Sequence, residues 1–180
     1  KHGGPKLVDA LHEMIQQAWT SETLPESWTK GVLCPVYKKG DKLDCANYRG
    51  ICLLNVAYKV FAKILNDRLL PYANAVVQHY QAGFQTGKST QDQLFTLRQI
   101  LEKGNEYNIP THHLFIDFKA AYDTIIRNEI YVGMLELDFP TKLIRLTKAT
   151  LTTVLCCVKI QNDCSEYFET RQGLRQGDVL

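Results

Sequence analysis

No stretch of 18 consecutive apolar residues occurs in this 180-residue chain, so the sequence offers no membrane-spanning helix and no membrane partner is expected. Nor is there a Cys-x-x-Cys pair among the six cysteines (34, 45, 52, 156, 157 and 164), and the five histidines stand at no zinc-ligand spacing from them. Zinc ribbons and dithiol redox motifs are thereby excluded. Several cysteines lie in apolar runs (Val32-Leu33-Cys34, Leu155-Cys156-Cys157-Val158), which reads as small core residues of a reducing compartment in preference to disulfides. Gly87-Lys88-Ser89-Thr90 resembles the end of a phosphate loop, but only three residues separate Gly83 from Gly87 where the loop needs four. That removes a P-loop hydrolase. There is no internal repeat, low-complexity tract or linker. Net charge is only +2, too small to identify a partner.

What is present is 45% hydrophobic content, enough for one globular domain with a core. The chain starts at Lys1 without Met and ends on Asp178-Val179-Leu180, which raises the expectation of a piece from a longer polypeptide. Charge is unevenly placed. Between Lys30 and Arg68 stand eight Lys or Arg against three Asp, a local excess that suits a polyanion, the plainer reading being solvated helix faces.

Apolar spacing at Leu7, Val8, Leu11, Ile15, Ala18 and Trp19 predicts a helix ending near Ser21. Residues 31–37 and 48–54 read as strands, with Pro35 at an edge or bend. Val56 to Leu70 reads as a helix that Pro71 ends or restarts. A Gly-containing loop over 78–88 leads to a helix capped by Ser89 or Thr90, with Gln93 placed for a capping box. Leu94, Leu97, Ile100 and Leu101 form its expected buried stripe, and Gly104 its stop. Helices over 128–137 and from Pro140 to about Leu151 precede a β-branched run, 153–160, whose return strand holds Tyr167 and Phe168. The fold class is α+β, mixed helices with mostly antiparallel strands.

Two stretches carry chemistry. Leu114-Phe115-Ile116-Asp117-Phe118 reads as a short buried strand. A carboxylate within such a run is costly to bury without a partner, and a metal ion is an economical one. Phosphoryl transfer by paired divalent cations needs carboxylates held this way. The plainer alternative makes Asp117 a strand-end cap and Asp123 a helix N-terminal residue. Near the C-terminus, Arg171-Gln172-Gly173-Leu174-Arg175-Gln176-Gly177-Asp178 combines two glycines with planar hydrogen-bonding side chains, fit to approach a nucleotide or to form an ordinary turn.

Five blocks in order carry a resemblance along nearly the whole chain: LPESWTKGVLCPVYKKGD, NYRGICLLNVAYKVFAKILNDRL, QAGFQTGKSTQDQLFTL, LFIDFKAAYDTI and RQGLRQGDVL. The chain resembles the reverse transcriptase domain of non-LTR (LINE-like) retrotransposons. The resemblance implies an incomplete right-hand polymerase. Residues 1–29 would be an N-terminal extension helix and connector, 30–111 a fingers-like region and 112–180 the N-terminal palm. It implies RNA-directed DNA polymerisation with Mg²⁺ (or Mn²⁺), an RNA template, a DNA primer and dNTPs. It also implies a parent polyprotein with the rest of the palm, a thumb and an endonuclease, found in nucleus and cytoplasm.

Position by position, the resemblance makes Asp117 the catalytic, metal-binding carboxylate, with the Phe118 carbonyl as a further ligand. Tyr122 would be the aromatic gate against the 2′-hydroxyl, and Asp123 a brace of the turn. Gln176 and Gly177 would contact nucleotide and template, while Arg49 and Lys88 would reach the triphosphate. Gly50 and Lys88 depart from the Pro and Arg usual in the family. The paired aspartates that complete the family's metal site would lie beyond Leu180. A catalytically inactive, degenerate retroelement copy that binds nucleic acid weakly or only keeps the fold is the rival. A two-metal nuclease shares the carboxylate logic but leaves the fingers blocks unexplained.

Overall fold

The computed structural model describes residues 3–180, so the first two residues of the expected N-terminal extension lie outside the described residues. The chain forms two compact units. One runs to Pro71 and resumes as Ala120–Leu180; the other is Tyr72–Lys119.

The first unit is built on a five-stranded sheet. It holds helices α1 (Gly4–Ser21) and α2 (Glu26–Thr29), strands β1 (Lys30–Tyr37) and β2 (Tyr48–Leu54), and the start of α3 (Val56–Val76). After the second unit it continues with α5 (Arg127–Glu136), α6 (Thr141–Leu151), β3 (Val154–Ile160), β4 (Asp163–Cys164) and β5 (Phe168–Thr170). β1 is central. β2 pairs with it antiparallel from Gly31↔Leu54 to Tyr37↔Tyr48, and β3 pairs parallel from Lys30↔Leu155 to Leu33↔Val158. β4 and β5 both return antiparallel on β3. Pairing to β3 ends at Leu33, so Pro35, which has no N–H to donate, lies past the end of that ladder. The expected α+β class, with mostly antiparallel strands, is what forms.

The core of this unit joins the sheet to α3 and α6. Trp28, Tyr58, Phe61, Leu65, Leu146 and Val154 are all fully buried. Trp28 meets Phe61 at 5.5 Å between centroids and Tyr58 at 6.3 Å, and Trp19 meets Phe61 edge-on at 6.2 Å. Such contacts add to the area these rings remove from water. α1 joins only through its second half. Ile15, Ala18 and Trp19 pack on the core, while Leu7 and Val8 stay exposed. α3 neither ends nor restarts at Pro71: it runs on to Val76.

In the second unit, α4 (Thr90–Glu106) starts from a capping box, but its members are Ser89 and Asp92, not Thr90 and Gln93. The Gln91 N–H donates to Ser89 Oγ at 3.1 Å, and the Ser89 N–H to Asp92 Oδ2 at 3.1 Å. Gly104 does not stop the helix. It is buried inside it because the returning chain lies there: a Cβ would stand 3.1 Å from Thr111 Cγ2 and 3.3 Å from the Ile109 carbonyl. The expected buried stripe is not buried, since Leu94 is 65% and Ile100 50% exposed. A unit this small, with one full helix, has too little to cover such a face.

The largest correction concerns residues 114–118. They form no strand and are not buried: Leu114, Phe115, Ile116 and Phe118 are 86, 77, 74 and 76% exposed. A strand needs a neighbour to take its N–H and C=O groups. Among the described residues none of the five strands pairs with this stretch.

Candidate active site

The loop that follows β5 is fastened to two places in the first unit, each by a glycine and backbone hydrogen bonds. At its far end the Cys52 N–H of β2 donates to the Gln176 carbonyl at 2.7 Å. Gly177 follows with φ +111°, and a Cβ there would meet the Cys52 carbonyl at 3.0 Å. Gly177→Ala is therefore expected to cost about 1–3 kcal/mol of stability, visible as a lower urea midpoint. An unchanged midpoint would mean the loop is not held at that register.

Nearer its start, the loop meets the turn that holds Tyr122 and Asp123. The Leu174 N–H donates to the Tyr122 carbonyl and the Gly173 N–H to the Ile125 carbonyl, both at 2.8 Å. A Cβ on Gly173 (φ +77°) would stand 2.8 Å from the Asp123 carbonyl and 3.0 Å from that of Tyr122. Only glycine lets the two backbones touch. Ala120 (φ +51°) shapes the turn, and its carbonyl accepts from the Asp123 N–H at 2.9 Å and the Thr124 N–H at 3.1 Å. The loop thus runs from the Tyr122–Asp123 turn to β2, and Asp123 and Gln176 line one cavity. Tyr122 is 41% exposed.

Two buried arginines hold this arrangement, and sequence reasoning missed both roles. Arg127 opens α5, where a cation opposes the helix dipole. Its five N–H groups all find acceptors: Nε donates to the Gly173 carbonyl (2.9 Å), Nη1 to the carbonyls of Leu151 (2.9 Å) and Thr170 (2.7 Å), and Nη2 to Thr170 Oγ1 (3.1 Å) and the Gln172 carbonyl (3.3 Å). Burial pulls its pKa below the usual arginine value. The misplaced cation at a helix start was the signal available in the sequence.

Arg171 and Arg175 look alike in the sequence, but the two behave oppositely. Arg171 is 87% exposed, whereas the Arg175 side chain is 3% exposed and paired to the equally buried Asp178 at 3.0 Å. Asp178 Oδ2 also accepts from the Tyr58 hydroxyl at 2.6 Å, and the guanidinium lies 4.3 Å from the Tyr58 ring centre. Burial is the first cause that raises the Tyr58 pKa. Arg175 further donates to the carbonyls of Trp28 (3.3 Å) and Thr150 (3.2 Å). It braces the loop from below.

Arg49 is exposed on β2, opposite Val36. Asp117, Phe118 and Lys88 belong to the second unit. Lys88 Nζ donates to the carbonyls of His79 (2.6 Å) and Gln81 (3.0 Å), closing the loop before α4. Asp117 is exposed and, among the described residues, enters no ion pair. Its carboxylate and the adjoining Phe118 carbonyl are hard oxygen donors of the kind Mg²⁺ takes alongside water and substrate phosphate. No group of three His, Cys, Asp or Glu able to hold a metal is present among the described residues. The donor chemistry fits a share of a divalent-cation site, with further carboxylates required to complete a two-ion one.

Among the described residues no helix is long and apolar enough to cross a membrane. The chain is similar to the Transposon TX1 uncharacterized 149 kDa protein of Xenopus laevis, at 25% identity over 170 residues, 94% of this chain and 13% of that protein. The chain therefore spans a small part of the length of this relative. Residues 36–180 match the family described as reverse transcriptase (RNA-dependent DNA polymerase). On that match the chain belongs to the reverse transcriptase family, and the transposon relative agrees with the non-LTR resemblance carried by its sequence blocks.

Proposed function

We propose that this chain is the fingers (30–111) and N-terminal palm (112–180) of an RNA-directed DNA polymerase encoded by a retroelement. It would extend a DNA primer on an RNA template with dNTPs, within a longer polyprotein that supplies the rest of the palm and the thumb. The observation that carries this reading is the double attachment of the 173–177 loop, to the Tyr122–Asp123 turn and to β2. Residues some fifty positions apart in sequence are thereby fixed beside one another, as a nucleotide site requires.

In this reading Asp117 and the Phe118 carbonyl supply oxygens to Mg²⁺, with Mn²⁺ as a substitute. When bound, a divalent ion neutralises charge on the triphosphate. The Tyr122 ring excludes a 2′-hydroxyl from the incoming sugar, and Gln176 with Gly177 positions the nucleotide against the template. Arg49 approaches the triphosphate from β2. Lys88 serves first as a brace of its own loop, and Asp123 contributes the backbone of the turn.

Tyr122→Val is expected to raise ribonucleotide over deoxyribonucleotide incorporation by about tenfold or more in a full-length protein carrying this chain. Single-nucleotide primer extension measures the ratio, and an unchanged ratio removes Tyr122 from the sugar site. One observation favours a second reading, a catalytically inactive copy that keeps the fold: Asp117 lies in an exposed, irregular stretch. Primer extension by the full-length protein separates the two.

A further inference from the structure

Beneath the 172–176 loop the first unit contains a cavity of about 180 Å³, with Cys156 of β3 on its wall beside Arg127, Arg175, Gln172, Gln176 and Asp123. Cys156 is 2% exposed, so the cavity is its route to solvent.

Two guanidinium groups stand on its wall. The five N–H groups of Arg127 are spent on neutral carbonyl and hydroxyl oxygens, which leaves its charge without a bonded anion among the described residues. Arg175 is paired with Asp178, yet its buried Nε–H has no acceptor among the described residues. An orphaned buried donor carries its desolvation cost uncompensated. The cavity wall therefore carries a buried guanidinium with no anion bonded to it among the described residues, and an unused hydrogen-bond donor.

Cys52 of β2 meets Cys156 above Gly31 of β1. A Cβ on Gly31 would stand 2.4 Å from Cys52 Sγ and 3.7 Å from Cys156 Sγ, so the absent side chain is what admits the two thiols. The hydrogen bond from Cys52 draws the Cys156 thiol down to about 7, helped by Arg175 and then Arg127 against the opposing effect of burial. Cys52 is pushed up by the same bond. The exposed Asp123 on the cavity wall is the remaining charged group facing the site.

We propose that Cys156 is a modification site, a thiolate poised for oxidation by a small hydroperoxide that enters this cavity, with the product oxygen accepting from Arg175 Nε. This inference stands apart from the polymerase reading. The Cys156 sulfur attacks one peroxide oxygen. An S–O bond forms as the O–O bond breaks, hydroxide leaves, and sulfur gives up the two electrons the peroxide gains. The product stays a sulfenic acid because β1 lies between β2 and β3. Two strand spacings put the Cα atoms of Cys52 and Cys156 about 9–10 Å apart, too far for a disulfide without backbone movement although the thiols touch.

The test treats the protein at pH 7 with one equivalent of hydrogen peroxide, quenches with catalase, and maps the gain of one oxygen on each cysteine peptide by mass spectrometry. Cys156 is expected to oxidise at least about tenfold faster than the exposed Cys45 and Cys164. Arg175→Lys, which keeps the charge but lacks the Nε donor, is expected to remove most of that advantage. Oxidation of Cys45 and Cys164 with Cys156 untouched, in protein whose circular dichroism is native, overturns the proposal. So does an undiminished Cys156 rate in a folded Arg175→Lys protein. If Arg175→Lys fails to fold, the comparison within the unmutated protein decides alone.

Discussion

Asp117→Ala, in a full-length protein that carries this chain, is expected to lower RNA-templated DNA synthesis by about a thousandfold or more. The side chain offers the hard oxygens a divalent cation takes, and the Phe118 carbonyl next to it cannot replace a formal charge. Asp117→Asn is expected to do nearly as much damage, since it keeps shape and loses charge. Both changes should leave stability within about 0.5 kcal/mol, because Asp117 is exposed and enters no ion pair among the described residues. Single-turnover nucleotide incorporation beside a thermal melt separates the two quantities. A mutant that extends primers at a near-normal rate would remove Asp117 from the site.

Arg127→Met is expected to cost about 3–5 kcal/mol of stability, a third or more of what a domain of this size has. The substitution leaves the carbonyls of Leu151, Thr170, Gln172 and Gly173 and the Thr170 hydroxyl without the donor that now joins them. Unpaired buried acceptors carry their full desolvation cost. Arg127→Lys should recover only part of the loss, because one ammonium cannot reach five acceptors spread over three segments. Urea unfolding of the three proteins gives the order: wild type, then Lys, then Met. If Met equals wild type, the 170–173 segment is held by other contacts.

Local patterns made much of this fold legible. The strands over 31–37 and 48–54, the helix from Thr141 and the hairpin return at Phe168 follow from β-branched runs, a proline and a polar turn. Burial is a property of the whole fold, and that is where the sequence misled. Arg171 and Arg175 are alike in type and lie four residues apart, yet one is solvated and the other locked against Asp178 and Tyr58. Gly104 has the composition of a helix stop and serves as a landing place for Ile109 and Thr111. The apolar stretch around Asp117 has the composition of a buried strand, but pairing needs a partner strand and none is present among the described residues.

For the proposed site, the family resemblance carried by the ordered blocks is what pointed to Tyr122, Gln176 and Gly177. The hydrogen bonds that fasten Leu174 to Tyr122 and Cys52 to Gln176 were not legible, because they link residues about fifty and more than a hundred positions apart. The arginines that support the loop were hidden for the same reason. A guanidinium that donates to backbone carbonyls leaves no pattern in the residues that receive it.

RNA-templated primer extension by the full-length protein, with Mg²⁺ and dNTPs, tests the central claim most directly. DNA product that depends on the RNA template and on the divalent ion is expected. A folded full-length protein that incorporates no nucleotide under these conditions would contradict it and leave the inactive copy as the reading.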